Sequence, residues 1–487
     1  AMGLIQIKDI KKNNDYAILL KLCKINLFPC ENAKQTSSLF VVSTYVIGHL
    51  FANSPEVLFI FAITSPFLID RICPDLLRSF IDILCKKEYT FLCQDCGSSA
   101  KQEVIKMYNF DKPYNRKGTN CTKWDISDDE QMLPMWIADM DFEAPAPIYE
   151  AFEKRAAHHV YAYSRLSEQY YQAVIDFMQR RHNFHVEKDW IVFTPGVVVA
   201  LTLGVQSVTE PGEEVMILSP VYGPFRGATT ACGRKLIESP LVNNDGYYTI
   251  DFEDMEKRVT PNTKAFMLCS PHNPVGRVWT KEELEGIANF CLKHNLYLIA
   301  DEIHNDLLFK EHIVMNNISA ELAERTILCT APSKTFNLAG LQASNIIIKN
   351  EELRNKFKTL LNNLHIGGCN AFVNDAVIAA YTQCDQWLDE LNAYIKGNMD
   401  YFCQEINGST PLKIHCPEAT YLGWIDCHAL NMTDEELTAF FKEKCHLMLN
   451  GGTFFGPEGS GFVRINLACP RSYVEEAVKR IKANLPK

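Results

Sequence analysis

Residues 265–304 read AFMLCSPHNPVGRVWTKEELEGIANFCLKHNLYLIADEIH. An apolar run, Ala265 to Cys269, enters a turn built from Asn273, Pro274 and Gly276. Lys281 to His294 then places apolar residues at helical spacing, and a second apolar run, Leu296 to Ala300, stops at Asp301. Two continuous apolar strands joined by an amphipathic helix form a crossover unit, so the fold class is α/β with a mostly parallel sheet covered on both faces.

Working outward, Ile191 to Thr194, Glu214 to Leu218 and Thr326 to Thr330 read as further strands of that sheet. After about residue 390 the texture changes. Helices around Asp389 to Glu405 and Asp434 to Lys444 flank strands near Ala419 to Ile425 and Phe462 to Asn466, which suits a smaller α+β domain. On the amino-terminal side a polar stretch, Asn109 to Thr122, leads into the dense run Leu133 to Phe142. Residues 1–106 are rich in Leu, Ile, Phe and Cys and lack the strand-turn-helix alternation, so they form a separate extension of unknown fold and role.

The chain has 487 residues, room for two or three domains at about 100 to 200 residues each. Apolar residues at 47% and charged residues at 22% are ordinary globular usage. A net charge of −11 without a Lys/Arg run excludes a phosphate-tracking nucleic-acid binder. The 18 cysteines, among them Cys269, Cys291, Cys329 and Cys403, are scattered singly through apolar stretches and read as buried free thiols. Cys93 and Cys96 make a lone CxxC with no second pair, so no metal site is expected. Ala1 to Asn14 lacks the apolar region of a signal peptide, which places the protein in the cytoplasm. The apolar runs Leu39 to Phe51 and Val57 to Ile69 are each too short to span a bilayer, so two buried helices are expected there and no membrane association.

In a parallel α/β sheet, ligands collect beyond the carboxyl ends of the strands. Four sites stand there. Thr194-Pro195-Gly196 opens a helix whose free N–H groups suit an anion; the others are Asn273, Asp301 and Lys334. Singly each is bland: a turn, a helix cap, a solvated lysine. Neither rival cofactor motif is complete, since no GxxxxGK[ST] loop occurs and Gly456, Gly459 and Gly461 do not make a dinucleotide fingerprint. Together an anion cradle, an amide, a carboxylate and an amine form the set that pyridoxal 5'-phosphate (PLP) requires.

Asn273-Pro-Val-Gly276, Asp301-Glu-Ile-His304 and Ser333-Lys-Thr-Phe-Asn-Leu-Ala-Gly340 resemble the fold-type I PLP-dependent aminotransferase superfamily. Trp136-Ile-Ala-Asp-Met-Asp-Phe142, Thr194-Pro-Gly-Val-Val198, Ser219-Pro-Val-Tyr-Gly-Pro224 and Arg464-Ile-Asn-Leu-Ala-Cys-Pro-Arg471 narrow the resemblance to the MalY/PatB type of C–S lyase, the group of some cystathionine beta-lyases and cystalysin. It runs from about Met107 to the carboxyl terminus; residues 1–106 match nothing in it. The resemblance implies that Lys334 carries the cofactor as a Schiff base and moves protons at Cα. It implies that Asp301 pairs with the ring nitrogen, Asn273 with the ring hydroxyl oxygen, and that Tyr222 stacks on the ring. Gly196, Val197, Val198 and Ser333 would hold the phosphate. His304 stands where many aminotransferases have Tyr, as in the lyase branch. Arg464 would bind the substrate carboxylate, and Tyr163 would reach the phosphate of a neighbouring subunit, implying a homodimer.

The expected architecture is a large PLP domain, about 149–389, with a small domain from 107–148 and 390–487. The expected reaction is α,β-elimination on cystathionine or a related sulfur amino acid, giving pyruvate, ammonia and a thiol. An aminotransferase is the nearest alternative; a regulatory protein acting through a protein partner is another.

Overall fold

The computed structural model describes residues 3–7, 47–48, 58–62, 91–92 and 108–486. The chain divides into two compact units, Ala1–Lys106 and Met107–Lys487. In the first, Gly3–Ile7, Ile47–Gly48, Leu58–Ala62 and Phe91–Leu92 form a four-stranded antiparallel sheet.

In the second unit the apolar runs close into one seven-stranded sheet of β1 (Ile191–Thr194), β2 (Glu214–Ser219), β3 (Lys235–Pro240), β4 (Thr263–Cys269), β5 (Tyr297–Asp301), β6 (Thr326–Thr330) and β7 (Ser344–Ile347). Their spatial order is β1-β7-β6-β5-β4-β2-β3. All pairings are parallel except those of β7, which is antiparallel to β6 and to β1. Two reversals cancel, so β1 points the same way as β6. The carboxyl ends of β1, β2, β4, β5 and β6 therefore share one edge of the sheet. Helices on both faces explain why Leu298, Ile299, Ala300, Ile327 and Leu328 are fully buried. The crossover helix Lys281–Lys293 starts at a capping box, Thr280 with Glu283, and buries Leu284, Ile287, Ala288 and Cys291 along one face.

The carboxyl-terminal part builds a second, antiparallel sheet in the order Lys413–Ile414, Leu422–Asp426, Phe462–Asn466, Asn450–Gly451. Its own core takes Met399 and Phe402 from the long helix Asp385–Ser409, Ile425 and Ile465 from the sheet, Val478 from the last helix, and Leu133 and Met135 from the amino-terminal side.

Several expectations are corrected. Strands β3 and β7 are absent from the sequence reading; β3 is an amphipathic edge and β7 a run of four residues. The helix expected over Asp434 to Lys444 is α-helical only to Ala439 and continues as a π turn, Phe440–Lys444. Leu39 to Phe51 and Val57 to Ile69 were read for helices, but their described residues, Ile47–Gly48 and Leu58–Ala62, are strands. Leu58–Ala62 alternates Phe with Leu, Ile and Ala, and aromatic and β-branched residues favour that pleated surface. Cys403 is not a free thiol: it is disulfide-bonded to Cys416, the two Cα atoms being 6.0 Å apart, within bridging range. The Cys93 and Cys96 pair lies outside the described residues. Among the described residues no helix is long and apolar enough to cross a membrane.

Candidate active site

Five strand ends supply the site. From β1 the chain passes through Pro195 and Gly196 into the helix Val197–Val208. Gly196 has φ +106° and ψ 153°, a conformation open to glycine, and this helix start has no side-chain cap. Its first N–H groups are thus free for an anion, with Val197 buried and Val198 exposed. From β2 comes Tyr222, whose backbone N–H donates to the Asn273 carbonyl at 3.1 Å. From β4 comes Asn273, from β5 Asp301 and His304, and from β6 the turn Pro332–Thr335 with Ser333 and Lys334.

Asp301 is buried, and among the described residues its carboxylate has no salt-bridge partner. Burial pushes it up from its ordinary value to about 7, against the opposing pull of the Ile303 N–H and of Lys334. Lys334 donates to the Ala138 carbonyl at 2.6 Å. Loss of solvent, with Arg464 adding to it, brings its amine down to about 8. Burial likewise holds the His304 imidazole well below its usual range, helped by Lys334 and Arg464, and its Nδ1 has no partner.

Arg464 stands on the strand Phe462–Asn466 of the second sheet, fully buried. Its guanidinium donates to Asn273 Oδ1 at 3.0 Å, to the Trp136 carbonyl at 2.8 Å and to Asn450 Oδ1 at 3.0 Å. All three acceptors are neutral. Among the described residues Nε has no partner, and burial lowers the group to about 10. A buried guanidinium without a counter-charge is costly, and a carboxylate ligand offsets that cost with charge-assisted hydrogen bonds.

The structure thus joins Arg464 and Asn273 directly, couples Asp301, His304, Tyr222 and Lys334 electrostatically around them, and sets Gly196, Val197, Val198 and Ser333 at the same sheet edge. Tyr163 is not gathered with them; it is fully exposed on this chain.

Sequence reasoning missed the contributors that act across long separations. The Tyr421 hydroxyl donates to the same Ala138 carbonyl as Lys334, at 3.0 Å. Asn466 Nδ2 donates to the Ile137 and Asp139 carbonyls at 2.7 and 2.6 Å, and Asn337 exchanges hydrogen bonds with Met140, both at 2.9 Å. These amides clamp the segment Ile137 to Met140, beside the Trp136 and Ala138 carbonyls that accept from Arg464 and Lys334. In the sequence this segment stands out as part of the dense run Leu133 to Phe142 and as one of the motifs of the C–S lyase resemblance.

The residues fit PLP. A buried carboxylate without a salt-bridge partner suits a pyridinium, an uncapped helix start suits a phosphate, and an amine of lowered basicity suits an aldehyde.

Comparison with known proteins agrees. Residues 136–481 match the family described as aminotransferase class I and II. Cystathionine beta-lyase PatB of Bacillus subtilis is 42% identical over 385 residues, covering 77% of this chain and 100% of that protein. Protein MalY of Escherichia coli is 34% identical over 382 residues, covering 76% of this chain and 97% of that one. The crystal structure of cystalysin from Treponema denticola, which contains PLP, superposes with a TM-score of 0.76 at 39% identity over 78% of this chain and 99% of its own. The chain belongs to the aminotransferase class I and II family, in its MalY/PatB-type branch.

Proposed function

We propose that the protein is a PLP-dependent carbon–sulfur β-lyase that takes a small sulfur amino acid, cystathionine or a related thioether, to pyruvate, ammonia and a thiol. The observation that carries the reading is Arg464: among the described residues a buried guanidinium held by neutral acceptors and electrostatically coupled to the Lys334 amine. That pairing suits a substrate with an α-carboxylate next to a reactive carbon. The likeness to cystathionine beta-lyase PatB supports the lyase class.

In this reading Arg464 binds the substrate carboxylate and so fixes Cα. PLP, when bound, withdraws the electrons released there, and Asp301 keeps its ring nitrogen protonated. Lys334 takes the Cα proton; burial brings its amine from the ordinary 10.5 down to about 8, which raises the share of free base available near neutral pH. Asn273, fixed by Arg464, would hydrogen-bond the ring hydroxyl oxygen, and Tyr222 would stack on the ring. Gly196, Val197, Val198 and Ser333 would hold the phosphate, and buried His304 stays neutral. The electron pair leaves with the sulfur at Cβ, and water completes release of pyruvate and ammonia.

We also read residues 149–389 as the large domain, 107–148 with 390–487 as the small one, and the protein as a cytoplasmic homodimer. Fully exposed Tyr163, beside exposed Val160 and Tyr161, supports a partner surface. Incubating PLP-loaded protein with a panel of sulfur amino acids, and measuring pyruvate and thiol, tests the reading. Pyruvate and thiol from at least one thioether are expected; none from any would overturn it.

A further inference from the structure

Behind Asp301 and Lys334 lies a set of buried polar groups that the reaction above does not use. Asp306 lies in the turn that follows Asp301 and carries His304, and Thr335 directly follows Lys334. The Thr335 hydroxyl donates to Asp306 Oδ2 at 2.6 Å, and His182 Nε2 donates to Asp306 Oδ1 at 2.8 Å. Asn392, on the long helix Asp385–Ser409, donates to the Asp306 carbonyl at 2.8 Å. Thr335, Asp306 and the His182 side chain are all shielded from solvent. Both carboxylate oxygens and the carbonyl of one residue therefore tie four separate pieces of chain together.

Burying a carboxylate is a poor way to gain stability, because its hydrogen bonds do little more than offset the cost of desolvation. Held geometry is what such a network does supply. The piece it holds is the turn that aims Lys334, and it holds that piece to the turn that directly follows Asp301. We propose that Asp306, paired with His182 and bonded to Thr335, is a positioning residue that fixes the Lys334 amine relative to Asp301. The inference rests on the PLP reading, in which these two residues grip opposite sides of one ring.

The test uses full-length PLP-loaded protein and the variant Thr335→Val, which keeps the shape of the side chain and removes the donor. Three quantities are read: PLP content, the pH midpoint of the visible band of the lysine-bound cofactor, and kcat against KM. The groups that hold the ring and the carboxylate are untouched, so PLP content and KM stay near wild type. A small displacement of a reacting group costs up to about 100-fold, so kcat falls about 10- to 100-fold and the band midpoint moves. Thr335→Ser restores both, because it restores the donor. Should Thr335→Val not fold, Asp306→Asn, with one acceptor oxygen for two donors, gives the same displaced midpoint. Thr335→Val, or Asp306→Asn in its place, with the wild-type midpoint and kcat would overturn the proposal, even if its Tm fell. If wild-type protein given PLP shows no such band, the PLP reading falls and the inference with it.

Discussion

Lys334 and Asp301 act on each other's protonation, and that gives the residue scale its sharpest expectations. Replacing Lys334 with Ala removes the base and the covalent attachment, so turnover drops by at least about 10²–10⁴-fold, the usual worth of a positioned proton-transfer group. Borohydride reduction and peptide mapping of the wild type check the assignment; a pyridoxyl label on any other lysine contradicts it. For Arg464, Ala in its place removes hydrogen bonds to a charged group, about 1.5–3 kcal/mol, so kcat/KM falls about 10- to 150-fold. Asp301 supplies a pH prediction for cofactor-free protein. Its folded-state value, about 7, lies above the ordinary 3.8, so between these limits the folded state binds more protons than the unfolded one. Its contribution to stability therefore declines as pH rises through that window. Asp301→Asn removes this slope, which denaturation of both proteins at pH 4, 6 and 8 (chosen about the window) would show.

At the scale of elements, the site is a set of strand ends, and what each end does depends on local backbone. Gly196 is the case where only glycine serves: at φ +106° and ψ 153°, Gly196→Ala costs about 1–3 kcal/mol and misaims the N–H groups of the following helix. Denaturation together with PLP titration measures both effects; wild-type PLP affinity would contradict the phosphate role. The parallel strands were legible because burial on both faces leaves nearly continuous apolar runs, as in Tyr297–Asp301 and Thr326–Thr330. Residues at their carboxyl ends, Asn273, Asp301 and Lys334, followed from strand direction alone. Ser344–Ile347 was not legible, since it opens on polar Ser344 and Asn345 and so lacks the continuous apolar run of its neighbours, and neither was the role of Tyr421 or Asp306. Tyr421 meets Ala138 across 283 positions, and no local pattern encodes such a contact. The disulfide of Cys403 escaped for a related reason: apolar neighbours look alike around free and bonded cysteines.

On the scale of the whole molecule, the catalytic machinery lies in Met107–Lys487, and the match to PatB covers 100% of that protein with 77% of this chain. Residues 107–487 alone are therefore expected to fold, bind PLP and turn over; an insoluble or cofactor-free product would show that residues 1–106 complete the core. The central claim concerns what happens after the Cα proton leaves, where elimination of a thiolate competes with transfer of the amino group to the cofactor. The most direct measurement gives PLP-loaded protein an excess of L-cystathionine with no keto acid and follows pyruvate, ammonia and free thiol. The account predicts all three in equal amounts over many turnovers. Product that stops at one equivalent per site, with pyridoxamine phosphate accumulating until a keto acid is added, would contradict it and make the protein an aminotransferase.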